Sequence, residues 1–428
     1  MQNVNKLIEL LNKSHSQFHV VNNIKEELLS AGFKEIKENQ KFEINKGESY
    51  FITRNDSSII AFKVPKEIKD FHFQITAAHN DSPTFKLKQQ PVVKVNNTYS
   101  LNVEPYGGMI MSTWLDRPLS IAGRVFVKKH NAVESILFDK DENLMLIPNV
   151  AIHMNREVNT GYKFNAAVDM LPLLTSTNKD ITLNDILDMD DEIIAHDLFL
   201  YNRDKAELFG LEKEFLSSPR IDDLGSTYSC LMGLINSKSN GAIDVLAAFD
   251  NEEVGSLTRQ GANSTFLKDT LRRITKSLDY DCDDFYQAVA KSSLLSVDNA
   301  HAVNPNHPEY SDKTKVLLNQ GVVIKYNANQ SYTTDALSSS IVKTIIQNNH
   351  LNIQEFSNRS DLRGGSTLGN ISNSEISIVS ADIGLPQLAM HSCNEMCGVK
   401  DIKDMLILIS DYYSTNIIVD KNKVTFNK

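Results

Sequence analysis

Five short segments of this 428-residue chain place metal-competent side chains at or just after apolar runs. The first is His79-Asn80-Asp81-Ser82-Pro83, which follows the run QITAA. An imidazole ligates a metal through one nitrogen, and a carboxylate two residues on can fix the ring or a neighbouring ligand from behind. Alone, this spacing also reads as a polar turn. The second segment, SPRIDDLGS, sets Asp222 and Asp223 in front of a helix of small and apolar residues. Its other reading is an N-cap, a position that favours Asp. The third runs from Phe249 to Ser256. The run VLAAF reads as a buried strand, and Asp250, Glu252 and Glu253 at its end are costly to bring together unless cations are near. Two neighbouring glutamates offer one metal ligand and one free base. The fourth is SVDNAHA, with Asp298 and His301. The fifth is His391, after the run SIVSADIG and a Gly-Leu-Pro turn. Histidines and carboxylates on successive strand ends suit a two-metal hydrolase that activates water near neutral pH. Zinc accepts both nitrogen and carboxylate oxygen at about 2.0–2.2 Å. Manganese and cobalt suit the same donors.

These segments need elements to carry them. Helical patterns fill 1–15 and 21–32, with Val4, Leu7, Ile8 and Leu11 on one face of the first. Strand patterns follow at Ser49–Thr53, Ser58–Phe62 and Phe71–Ala77. From 91 to 215, short β-branched and aromatic runs separated by Asn, Gly and Asp indicate a β-rich module. Residues 216–428 return to alternating strands and helices, ending in a long predicted helix, KDIKDMLILISDYYSTNIIV. The expected fold class is α/β: a mostly parallel sheet with helices on both faces, interrupted by a β-rich insertion. The expected boundaries are 1–90 and 216–428 for the two parts of a catalytic domain, and 91–215 for the insertion. In such sheets, sites form at the carboxyl ends of the strands.

Composition narrows the function. Hydrophobic residues make up 41% and charged residues 23%, as in ordinary globular proteins. The formal net charge of −10 argues against nucleic acid as the main partner, since neutralising phosphates needs basic surface. No run of 18 apolar residues suggests a membrane span, and the first twenty residues do not read as a signal peptide. Cys230, Cys282, Cys393 and Cys397 form no close-spaced framework, which fits a reduced, cytoplasmic setting.

With its motifs in this order, the sequence resembles the aspartyl, or vacuolar-type, aminopeptidase family of zinc metallopeptidases. The likeness runs nearly end to end, through AAHNDSPTFKLK, YGGMIMSTWLDRPLSIAGRV, AIHMNREVN, SPRIDDLGS, FDNEEVGSLTRQGA, SVDNAHAVNPNHPE, GVVIKYNANQSYTTDA, NRSDLRGGSTLG and GLPQLAMHSCNEM. The resemblance implies two divalent metals per chain, zinc foremost. It implies His79 as a ligand of one metal, with Asp81 supporting it, and Asp222 as the bridge between both. It implies Glu252 as the general base, and Glu253, Asp298 and His391 as terminal ligands. It implies that His153, on the insertion, reaches a neighbouring subunit's site, in a dodecamer built from dimers. The expected substrates are peptides with a free N-terminus. Three departures stand out. Many members carry Thr where Asn80 stands and Asn where Asp223 stands, and Asp223 leaves open which carboxylate of the pair binds. The NRSDLRGGSTLG block differs from the more acidic-selective members, so no strict preference for an acidic N-terminal residue follows.

Beside these positions, Lys325 in GVVIKYN is a candidate to meet an acidic substrate side chain, or else an exposed lysine on a strand. His301, His307, Lys315 and Arg359 are candidate polar groups of the pocket, and Ser366 and Thr367 are candidate contacts to the peptide backbone. Two other functions stay in view. A metal-dependent deacylase or carboxypeptidase would use the same scaffold. A non-catalytic assembly protein would lack a ligand or the base, whereas every expected position is filled.

Overall fold

The computed structural model describes residues 2–362 and 364–427; Arg363, within the NRSDLRGGSTLG block, lies outside them. Among the described residues, nine strands form the main sheet. Four of them make its parallel centre, in the order Ile243–Phe249, Phe73–His79, Ser293–Val297 and Val379–Gly384. Phe73–His79 and Ile243–Phe249 are buried at every residue. That is why their sequences read as continuous apolar runs rather than alternating ones. Ser58–Lys63 and Ser49–Arg54 extend one side of the sheet antiparallel, and Val322–Tyr326 pairs antiparallel with Val379–Gly384 on the other.

Helices cover both faces. One face packs against Gln2–Lys13, Gln17–Ser30, Ile221–Asn236 and Val399–Ser414, through Leu7, Ile24, Leu231 and Leu408 among others. The other packs against Phe266–Ser277 and Cys282–Lys291, through Phe266, Leu271 and Phe285. Each such side chain, fully buried, stabilises the fold by roughly 1.5–3 kcal/mol. A second, six-stranded antiparallel sheet spans Thr84 to Asn202 and encloses its own core around Phe85, Trp114, Ile121 and Leu198.

Most predicted elements recur within a few residues. The long C-terminal helix is shorter than its pattern suggested. It stops at Ser414, and Asn416–Asp420 turns into a strand paired with Lys423–Asn427. The three β-branched residues in NIIV suit a strand. Among the described residues no helix is long and apolar enough to cross a membrane.

Candidate metal centre

The four central strands all deliver their carboxyl ends to one place. His79 closes Phe73–His79, Glu252 and Glu253 follow Ile243–Phe249, Asp298 follows Ser293–Val297, and His391 follows Val379–Gly384. Asp222 and Asp223 arrive from the start of Ile221–Asn236, where the backbone is not yet helical and the two residues are joined by a cis peptide bond. Two groups of ligand atoms share Asp222: His79, Asp222, Asp223 and Asp298 form one, and Asp222, Glu253 and His391 the other; a third brings His79 together with Glu252 and Glu253. Its Oδ1 lies 3.6 Å from His79 Nε2, and its Oδ2 lies 3.6 Å from His391 Nε2. His391 Nε2 is also 3.4 Å from Glu253 Oε1.

Asp223 is oriented differently. Its Oδ2 accepts the backbone N–H of His79 at 3.2 Å. Both carboxylates of the pair are buried, and Asp222 Oδ1 and Asp223 Oδ1 have no hydrogen-bond partner. Buried carboxylate oxygens left unpaired are costly. A divalent cation among these oxygens and imidazoles would satisfy them, so the donor set fits zinc.

Charge tells the same story. Burial pushes Glu252 up to about 7 and Glu253 well above the usual carboxylate range. It also raises Asp223 and Asp298, the latter against the pull of Lys325. Burial opposes charge on His79, but the carboxylates of Asp222 and Asp81 outweigh it and raise its pKa strongly. His391 is likewise lifted to about 10, with Asp222 and Glu253 overcoming burial. Asp222, though buried, is held below its ordinary value by His391 and His79. This many buried carboxylates around two imidazoles calls for added positive charge.

The surroundings hold the cluster from outside. The His79 Nδ1–H donates to the Asp81 carbonyl at 3.0 Å, which directs Nε2 towards Asp222. The Asp81 side chain accepts the backbone N–H groups of Glu252 and Glu253, and the Tyr106 hydroxyl at 2.7 Å. Tyr106 ends the strand Thr98–Tyr106 of the second sheet, and Gly107 and Gly108 follow it. At Gly107, with φ of 76°, a Cβ would lie 3.0 Å from Glu253 Cβ, so glycine lets the loop close on the cluster. His391 Nδ1 donates to the Gly108 carbonyl at 2.9 Å. Glu395 accepts the N–H groups of both Asp222 and His391. Tyr106 and Glu395 escaped the sequence reading because neither follows a strand end with a ligand-like spacing.

Lys325 is not exposed on its strand. It is 2% exposed, and its ammonium donates to the Asp298 and Asn299 carbonyls at 2.8 and 3.1 Å. It therefore lies behind Asp298. His153 sits in an exposed turn of the second sheet's long loop, outside these ligand groups. A cleft of about 330 Å³ opens beside His391, lined by His301, His307, Phe356, Arg359 and Met390 among others. Lys315 instead donates to the Pro308 carbonyl. Thr367 is buried and donates its hydroxyl to Asp382 at 2.6 Å, while Ser366 is exposed.

Known proteins match this chain over nearly its whole length. The profile of a family described as "Aminopeptidase I zinc metalloprotease (M18)" matches residues 10–413. A probable M18 family aminopeptidase 2 from Clostridium novyi is 46% identical over 424 residues, covering 96% of this chain and 98% of its own. Aspartyl aminopeptidase 1 of Schizosaccharomyces pombe is 36% identical, covering 97% and 96%. Among solved structures, the cryo-EM structure of the Ape4 and Nbr1 complex superposes with a TM-score of 0.92 at 35% identity, over 96% of this chain and 85% of the other. The S. cerevisiae mApe1 dodecamer does so with a TM-score of 0.83 at 25% identity, over 96% and 95%.

Proposed function

The chain belongs to the M18 family of zinc metallo-aminopeptidases, and from that premise we propose which of its residues do the work. His79, Asp222 and Asp298 hold one divalent cation, and Asp222, Glu253 and His391 hold a second. The observation that carries this reading is the shared carboxylate: each Asp222 oxygen faces a different histidine at 3.6 Å. Bound there, two zinc ions would supply an acidified water and polarise the scissile carbonyl.

The chain's own groups do the rest. Glu252 takes a proton at its carboxylate and returns it to the departing amine, one group serving as base and then acid. Its burial, which raises its pKa to about 7, matches the group to that task near neutral pH. Asp81 fixes the backbone of Glu252 and Glu253. The surplus of buried carboxylates meets the α-ammonium of a peptide, which confines cleavage to the first bond. The cleft beside His391 takes the N-terminal side chain. It mixes Arg359 and His307 with Phe356 and Met390, and so admits polar and apolar residues alike.

His153 completes a neighbouring subunit's site, and the chain assembles as a dodecamer built from dimers. Support comes from the mApe1 dodecamer and from the apolar, exposed surroundings of His153. The four cysteines are unpaired, in keeping with the cytoplasm. The test is a panel of aminoacyl chromogenic substrates, run after chelation and after re-addition of Zn, Mn or Co. Activity should vanish and return with metal. Preference for N-acetylated over free peptides would overturn the reading in favour of a deacylase.

A further inference from the structure

Two of the proposed ligands sit on backbone that no regular hydrogen-bond ladder holds. Arg220 has φ of 62°, and Asp222 has φ of −83° and ψ of 109° inside what otherwise becomes a helix. Ala389 and His391 have φ of 55° and 64°. A left-handed conformation at a residue other than glycine persists only where its surroundings hold it. A buried N–H outside a ladder must also find an acceptor elsewhere.

Glu395 answers both needs. Its Oε2 accepts the Asp222 N–H at 2.9 Å, and its Oε1 accepts the His391 N–H at 2.8 Å. The residue begins the strand Glu395–Gly398, is 3% exposed, and makes no ion pair among the described residues. One rigid carboxylate thus ties two chain segments far apart in sequence.

We propose that Glu395 is a positioning residue for the metal centre: by spanning the backbones of Asp222 and His391, it sets the spacing of these two ligands and thereby the affinity of the cluster for divalent cations. The inference rests on Asp222 and His391 being ligands. Glutamine at 395 would keep the volume but offer one acceptor, and its amide group would confront the other N–H. Aspartate would keep the carboxyl group but fall short of one segment.

The experiment is competition between the protein and a fluorescent chelator for Zn and for Mn, on the wild type, Glu395→Gln, Glu395→Asp and Asp222→Asn. Thermal melting of each metal-free form runs alongside. Glu395→Gln and Glu395→Asp should each weaken cation binding about 10–100-fold, beyond what any shift in metal-free melting would produce. Binding within about twofold of wild type in the folded variants, with only melting shifted, would overturn the proposal, since outer partners of this kind normally act through affinity. Wild-type binding in Asp222→Asn would instead overturn the ligand assignment. Hydrogen exchange on the metal-free wild type is independent of whether variants fold. The Asp222 and His391 amides should exchange slowly, and exchange at the rate of free amides would sink the idea.

Discussion

Asp81 Oδ1 accepts the backbone N–H of Glu252 at 3.1 Å, across the gap between two neighbouring parallel strands. The other oxygen takes the next N–H, of Glu253, at 3.2 Å, together with the Tyr106 hydroxyl. The proposed base and a proposed ligand are therefore gripped by one carboxylate, which stands two residues after the histidine of the other strand. Asp81→Ala should leave these donors without an acceptor and lower kcat about 100-fold, as loss of an orienting partner does. KM should change little. Tyr106→Phe removes one of the three donors and keeps the ring packed edge-on against Phe199. It should cost no more than about tenfold, the scale of a single hydrogen bond. Steady-state kinetics on one aminoacyl substrate separates the two, and equal effects would count against this role for Asp81.

Glu252→Gln keeps the shape of the side chain and removes its proton chemistry. Glu252 is not needed to complete either ligand group that contains Asp222. We expect metal content by elemental analysis to stay at the wild-type level while kcat falls about 100- to 10,000-fold, the range for general acid–base groups. Loss of metal in parallel with activity would make Glu252 a ligand rather than the base.

Much of this was legible in the sequence because parallel strands, buried on both faces, end abruptly where polar residues begin. VLAAF followed by DNEE reads as a strand end, as does QITAA before His79. The donor types could then be read off directly. Three things were not legible. Which oxygen of the Asp222–Asp223 pair faces the histidines depends on a local backbone course that residue type does not encode. The grip of Glu395 depends on two segments meeting through irregular backbone. Lys325 reads as a pocket residue or an exposed lysine on a strand. Its burial comes from the packing of Val322–Tyr326 against Val379–Gly384, which brings the Asp298–Asn299 carbonyls over its ammonium.

That position makes a prediction for specificity. An ammonium committed beneath Asp298 should serve every substrate equally. Lys325→Ala should therefore lower kcat/KM for acidic and neutral N-terminal residues by the same factor. It should also lower Tm, because two carbonyls and the Asp298 carboxylate, 3.6 Å away, lose a buried partner. A loss confined to acidic substrates would return Lys325 to the substrate pocket.

The metal-free protein should be less stable at pH 8 than at pH 5.5. Burial lifts Glu252 to about 7, and Glu395 and Asp244 to about 8. The unfolded chain releases these protons near pH 4, so the folded chain holds more protons between pH 4 and 8. Stability then falls as pH rises through that window. His391, raised to about 10, works in the same direction above pH 6.5. Thermal melting of the chelated protein across this range checks the sign. Cations should flatten or reverse the trend, because they stabilise the carboxylates in their charged form.

The placement of His153 can be tested without a structure of the assembly. It lies between Ile152 and Met154, which are 46% and 84% exposed, with Val150 nearby at 50%. Apolar side chains clustered this way in an exposed turn suit a surface that a neighbouring subunit would cover. If His153 completes the site of a neighbour, His153→Ala and Glu252→Gln damage different subunits' contributions to one centre. Each variant alone should be nearly inactive. In a mixed dimer, the subunit carrying His153→Ala keeps its own Glu252 and receives an intact His153 from its partner, so one of the two centres is whole. Subunits dissociated, mixed in equal amounts and reassembled should therefore recover about a quarter of wild-type activity, the fraction of whole centres in random symmetric pairs. Mixing without dissociation should recover none. If reassembled mixtures stay as inactive as their parents while gel filtration shows full assembly, His153 acts within its own chain or not at all.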